Sequence, residues 1–202
     1  MFRTLAIALT LGASLSLAQA ETTPDDFVMK LSTEVIDTVK ADKAIQAGDV
    51  SRIRALVDTK VLPHVNLQRM VVKSVGQPWR SATPEQQKRL TEEFKNYLIN
   101  TYAGALTQVR DQTVKLRPVR AGANANEALI GTDVVNKGEP IQLDYRLEKA
   151  GDAWKIYDFN VLGLWATDSF RSQFAGDLRG GGVDALIARL SEKNKQISGG
   201  KN

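Results

Sequence analysis

The apolar pattern of this chain changes period near residue 111, and that change limits the possible folds more than any single motif does. Before it, apolar residues recur every three or four positions, the spacing of one helix face. After it they alternate, as in strands buried on one side. Thr23-Pro24-Asp25-Asp26 reads as a helix start, with Thr23 as N-cap and Pro24 in the first turn. Phe27, Leu31, Val35 and Val39, reinforced by Val28 and Ile36, carry that helix to about Lys40. Gly48-Asp49 restarts the chain, and Ile53, Leu56, Val57 and Val61 predict a second helix that Pro63 ends. Asn66 caps a third, with Leu67, Met70, Val71 and Val75, stopped by Gly76. Thr83-Pro84-Glu85-Gln86 repeats the opening device. A wide stripe of Leu90, Phe94, Tyr97, Leu98, Thr101, Tyr102, Ala105 and Val109 then predicts a heavily buried helix to about Arg110.

Strands are predicted over 113–120, 127–136, 141–148 and 153–161. Asn136-Lys137-Gly138 and Ala150-Gly151-Asp152 supply turn chemistry between antiparallel neighbours. Two helices close the chain, 168–178 and 183–195, on either side of a hinge at Gly180-Gly181-Gly182. Helices, a meander of strands, then helices again is an α+β pattern in one domain, residues 21–197. Residues 198–202 are expected to be disordered.

Residues 1–20 read as a secretory signal peptide. Arg3 gives a positive start, Leu5 to Leu17 an apolar run, and Ala18-Gln19-Ala20 a cleavage site. The apolar run falls short of the roughly 20 residues a spanning helix needs. The chain has no cysteine, so no thiol carries a lipid anchor, and disulfides, Cys-based zinc sites and thiol nucleophiles are excluded. The mature protein, beginning near Glu21, is therefore expected to be unanchored and outside the cytoplasm. The formal net charge of +4, lowered by one when Arg3 is removed, is too diffuse for a nucleic-acid binder.

Candidate catalytic groups are sparse. One histidine, His64, follows Pro63 at a helix end, where capping or packing is its expected role. A Gly-x-Ser-x-Gly elbow, a P-loop and a His-Glu-x-x-His motif are all missing. Asp144-Tyr145 and Tyr157-Asp158 lie on neighbouring strands, where alternation sends each pair to opposite faces. A carboxylate turned into an apolar cavity could serve as a general base. Trp79, Trp154 and Trp165, with Tyr97, Tyr102, Tyr145 and Tyr157, suit a cavity greasy inside and wet at its mouth, or an ordinary core.

Several motifs stand together in order. Val61-Leu62-Pro63-His64-Val65 precedes Val75-Gly76-Gln77-Pro78-Trp79-Arg80, Ala82-Thr83-Pro84-Glu85-Gln86, Phe94 and Thr101-Tyr102-Ala103. Gly138-Glu139-Pro140-Ile141, Tyr145-Arg146-Leu147, Trp154-Lys155-Ile156-Tyr157-Asp158 and Phe170-Arg171-Ser172-Gln173-Phe174 follow. Over the whole mature chain this order resembles the MlaC, or toluene-tolerance (Ttg2-type), family of periplasmic phospholipid-binding proteins. The resemblance implies a curved antiparallel four-stranded sheet of the NTF2-like kind, packed with a helical subdomain around a deep apolar cavity.

It also implies a carrier, not an enzyme, with diacyl phospholipid as cargo and neither cofactor nor metal. Its partners would be an outer-membrane lipoprotein–porin complex and an inner-membrane ABC transporter with a ring-shaped periplasmic subunit. The implied role is maintenance of outer-membrane lipid asymmetry by a monomeric carrier. On this reading Val75, Trp79, Phe94, Leu98, Tyr102, Leu143, Tyr145, Ile156 and Phe174 line the lipid site. Arg80, Trp165 and Arg171 are placed at the headgroup or mouth. Gly163-Leu164-Trp165-Ala166 departs from the family's Gly-Val-Ser-Leu, so Trp165 is expected to reshape the mouth. The alternative is an NTF2-like enzyme or binding protein for a small apolar molecule, with Asp144 or Asp158 as the base of an enzyme.

Overall fold

The computed structural model describes residues 22–118, 124–136 and 138–199. The expected signal peptide, part of the first predicted strand and residues 200–202 of the predicted tail lie outside them.

Each long helix begins where its capping chemistry places it. In α1 (Pro24–Ala41) the Thr23 hydroxyl accepts from the Asp26 N–H at 3.2 Å. In α6 (Pro84–Leu106) Thr83 and Gln86 form a reciprocal capping box, with bonds of 3.2 and 2.9 Å. The Asn66 side chain caps α4 (Leu67–Val75), and Gly76 stops it at φ 73°.

The predicted second helix is broken up. A short α2 (Lys43–Gln46) precedes it, and in its place α3 (Val50–Leu56) widens into a π turn at Val57–Val61, then tightens into a 3-10 turn at Leu62–His64. Pro63 in that last turn has no N–H to continue an α-helical ladder. The short α5 (Pro78–Ser81) follows α4. The closing α7 (Ala166–Gly199) is one helix in outline, but Gly182 breaks it at φ 66°, ψ −155°. A Cβ on Gly181 would lie 2.7 Å from the Ala185 Cβ, so the kink needs glycine there too. The helix continues through Gly199.

The strands are β1 (Thr113–Leu116), β2 (Glu127–Val135), β3 (Ile141–Ala150), β4 (Ala153–Val161) and β5 (Leu164–Trp165). They form one antiparallel sheet in chain order, five strands rather than the expected four. The extra strand hangs on a two-residue turn, Leu162-Gly163, in which both residues have positive φ. Such turns are ordinarily announced by Asn-Gly or Asp-Gly, so a leucine there gives no signal. A bulge at Arg146/Leu147 leaves Tyr157 as an extra residue in β4, between Ile156 (opposite Leu147) and Asp158 (opposite Arg146).

His64 packs edge-on against Phe27, with ring centroids 5.6 Å apart. Burial, helped by the Lys155 charge, lowers its pKa below the usual 6.5. The neutral ring is therefore favoured in the folded chain, and its contribution to stability is full above pH 6.5 and is lost as pH falls below it. His64→Gln should flatten the fall in melting temperature between about pH 7.5 and 5.5. An unchanged slope would assign that fall to other groups. Thr83→Ala should lower unfolding free energy by about 1 kcal/mol in urea titration, through loss of the capping box.

Candidate functional site

The interior divides into three apolar clusters. Met70, Val75, Trp79, Phe94, Phe170 and Phe174 belong to the first, built by α4, α5, α6 and α7. Val28 and Leu31 of α1 pack on Ala128, Ile130, Leu147 and Ile156 of the sheet in the second. The third joins Val39, Ile45, Ile53 and Leu56 to Ile99 and Ala103 of α6. The clusters touch through few residues: Val65 packs against the first two, and Val35 against the last two. Leu98, Tyr102, Phe159 and Tyr145 pack against these clusters and are only partly covered.

The sheet explains the incomplete cover. Cross-strand partners share a face, and one face is apolar in four successive rows. Ala128, Leu147 and Ile156 form the innermost, all buried. Ile130, Tyr145 and Phe159 form the next. Leu116, Thr132, Leu143, Val161 and Leu164 form the third, across all five strands. Val114, Val134 and Ile141 form the last. No charged residue occurs in these rows. Burial fades along them, from Leu147 at 0% exposed to Ile141 at 47% and Leu164 at 69%.

The α1 helix covers the inner rows, and Tyr102 of α6 meets Phe159 edge-to-face at 5.0 Å. Burial pushes the Tyr145 hydroxyl's pKa up, while hydrogen bonds with Ser32 and Thr132 oppose the shift. Burial, then the Asp158 charge, raises Tyr102 as well. Both remain neutral phenols, so this face is uncharged at neutral pH.

The structure thus brings Leu143, Tyr145 and Ile156 onto one sheet face, with Tyr102 of α6 against Phe159 on it, while Leu98 packs on the helical cluster. Val75, Trp79, Phe94 and Phe174 lie behind them, packed within the helical cluster. Phe159 belongs to the same face and was not among the expected site residues. Simple alternation in β4 puts Phe159 opposite Ile156, and only the bulge at Tyr157 returns it to the same side.

Trp165 does not join them. It pairs with Asn160 on the sheet's other face, beneath the Arg146 guanidinium at 3.7 Å. That placement sets it apart from the apolar rows. Arg171 donates twice to the Lys73 carbonyl, at 3.0 and 2.6 Å, and so ties α7 to the end of α4. Arg80 is exposed, and its guanidinium has no hydrogen-bond or ion-pair partner among the described residues.

The two candidate bases also lie on the outer face and are engaged there. Asp144 is paired with Arg117, and the pair lies over Gly131, where a Cβ would come within 3.1 Å of both side chains. Asp158, fully buried, accepts from Arg146 at 2.9 Å, from the Thr167 hydroxyl at 2.7 Å and from the Thr167 N–H at 3.1 Å. It anchors the first turn of α7 to the sheet. Neither carboxylate faces the apolar rows.

An open groove of about 840 Å³ runs beside α1, lined by Met29, Lys30, Thr33, Glu34, Asp37, Thr38 and Ala41. At 100° per residue this stripe is opposite Val28, Leu31, Val35 and Val39, which face the core. None of the candidate residues lines it.

An open antiparallel sheet, apolar on one face and covered by helices only part of the way along, defines an α+β protein with an unfinished core. The family model described as MlaC protein matches residues 29–192. The chain belongs to the MlaC family. It is 25% identical over 199 residues to the intermembrane phospholipid transport system binding protein MlaC of Haemophilus influenzae, covering 96% of this chain and 93% of that one. It is 29% identical over 170 residues to toluene tolerance protein ttg2D of Pseudomonas putida, covering 83% and 79%. A solved phospholipid-binding protein from Ralstonia solanacearum, in complex with a phospholipid, superposes with a TM-score of 0.82. It shares 39% identity, with 86% of this chain and 98% of that chain covered.

Asp158→Ala should destabilise the fold by about 3 kcal/mol, because it leaves Arg146 and both Thr167 donors without their acceptor. Urea titration measures this, and a loss below about 1 kcal/mol would contradict the anchoring role.

Proposed function

We propose that this chain is a monomeric periplasmic carrier of diacyl phospholipid, exported by a leader cleaved after Ala20. It moves lipid between an outer-membrane lipoprotein–porin complex and an inner-membrane ABC transporter with its ring subunit, and so maintains outer-membrane lipid asymmetry. The observation that carries this reading is the half-covered apolar face of the sheet. Acyl chains laid along it would complete the packing of Leu143, Tyr145, Ile156 and Phe159 against Leu98 and Tyr102. Val75, Trp79, Phe94 and Phe174 form the packed wall behind them. The phospholipid complex of the relative from Ralstonia solanacearum supports phospholipid as the cargo.

The energetics suit a shuttle. Burial is worth about 0.8 kcal/mol per methylene, so two chains of roughly 15 methylenes would cost about 25 kcal/mol to bare to water. A bilayer already buries them, so transfer from bilayer to protein is near neutral and needs no covalent chemistry. Such a cavity has no direction of its own; direction belongs to the partners.

Solvent extraction and mass spectrometry of protein purified natively should find diacyl phospholipid at close to one molecule per chain. A protein that is consistently empty and takes up no labelled lipid would contradict the reading. Leu143→Arg puts a charge into the third apolar row and should cut loading to about a tenth or less. Leu143 is only half-buried, so the melting temperature should change little. Unchanged loading in the folded variant would remove Leu143 from the lipid contact.

A further inference from the structure

Among the described residues, the large apolar side chains that stand exposed are Leu116, Ile141, Leu162 and Leu164. Leu116 stands on the edge strand β1, but the other three gather toward the opposite edge: Leu164 is on β5 at the end of the third cross-strand row, Ile141 lies in the fourth, and the Leu162 N–H donates to the Gln142 carbonyl there. Isolated exposed leucines are ordinary, but a contiguous set is not.

Leu162 carries a second anomaly. It has φ 51° and is 69% exposed, so a branched side chain occupies a left-handed turn position that favours asparagine or glycine. Neither burial nor turn geometry accounts for leucine there. Backbone held in a sparse region at an exposed site is a pointer to function.

We propose that this tip, Leu162 and Leu164 with Ile141 beside them, is a membrane-contact lip that enters the hydrocarbon of a phospholipid bilayer. The tip is continuous with the apolar rows, so lipid leaving the bilayer meets an unbroken greasy surface leading inward. That last step rests on the carrier reading; the membrane contact does not. The composition favours lipid over a protein partner. Protein interfaces concentrate their binding in aromatic and arginine side chains, with leucine under-represented among hot spots. The tip is aliphatic, and Trp165, next in the chain, is turned to the other face under Arg146.

Sedimentation of the mature protein with large vesicles of phosphatidylethanolamine and phosphatidylglycerol tests this. Wild type should partition to the vesicles. Leu162→Asn and Leu164→Ser should each weaken partition by roughly tenfold, the factor expected from losing one leucine side chain to insert. Leu162→Asn should melt no lower than wild type, since asparagine accepts the left-handed turn, so lost partition cannot be charged to unfolding. Leu162→Asn, which lies outside the apolar rows, should still co-purify with phospholipid, which separates the lip from the carrier reading. The proposal is overturned if wild type stays in the supernatant or if neither substitution alters partition. It is equally overturned if the leucines serve only to hold a partner protein while vesicle binding is absent.

Discussion

An antiparallel sheet that is apolar on one face must have that face covered, and here the cover stops partway. The inner rows, Ala128, Leu147 and Ile156 followed by Ile130, are closed by α1. Beyond Tyr145 and Phe159 the same face continues without a charge to Leu143, Val161, Ile141 and Leu164, while burial falls away. A domain of this size buries more than enough area elsewhere to fold. The uncovered rows are where the proposed function lays the acyl chains.

The rest of the molecule holds this face in place. On the outer side of the sheet Arg117 bridges toward Asp133 and Asp144, Arg146 meets Asp158, and Arg69 reaches Glu127 and Glu148. These pairs keep the polar groups of the central strands on one side and the greasy groups on the other. Asp158 extends the arrangement by gripping Thr167, so that α7 starts from a fixed point on β4. Arg171 then ties α7 to the end of α4. The helical wall and the sheet are thereby joined through β4 and the first turn of α7.

Much of this was legible in the sequence because it rests on local chemistry. Thr23, Asn66 and Thr83 mark three helix starts, Gly76 marks a stop, and the alternation from Ile141 to Glu148 marks a strand. The features that escaped are those set by tertiary geometry. The bulge at Tyr157 has no sequence signature, so alternation gave no reason to place Phe159 beside Ile156. The Leu162-Gly163 turn lacks the usual asparagine or aspartate, so β5 went unseen, and with it the pairing that carries Trp165 to the outer face. Large side chains such as Phe94 and Phe174 are equally at home in a packed core and at a lipid site. Periodicity alone cannot separate the two, whereas the fading burial along the sheet can.

The central claim is that acyl chains lie on the inner face of the sheet. Loading the protein with a phospholipid bearing a photoreactive group on its acyl chain, irradiating it and mapping the modified peptides tests this most directly. The account predicts labelling of β3 and β4 around Leu143, Tyr145 and Phe159, and of α6 around Leu98 and Tyr102. Labelling concentrated on the groove beside α1, at Met29, Thr33 or Asp37, with the sheet unmodified, would contradict it.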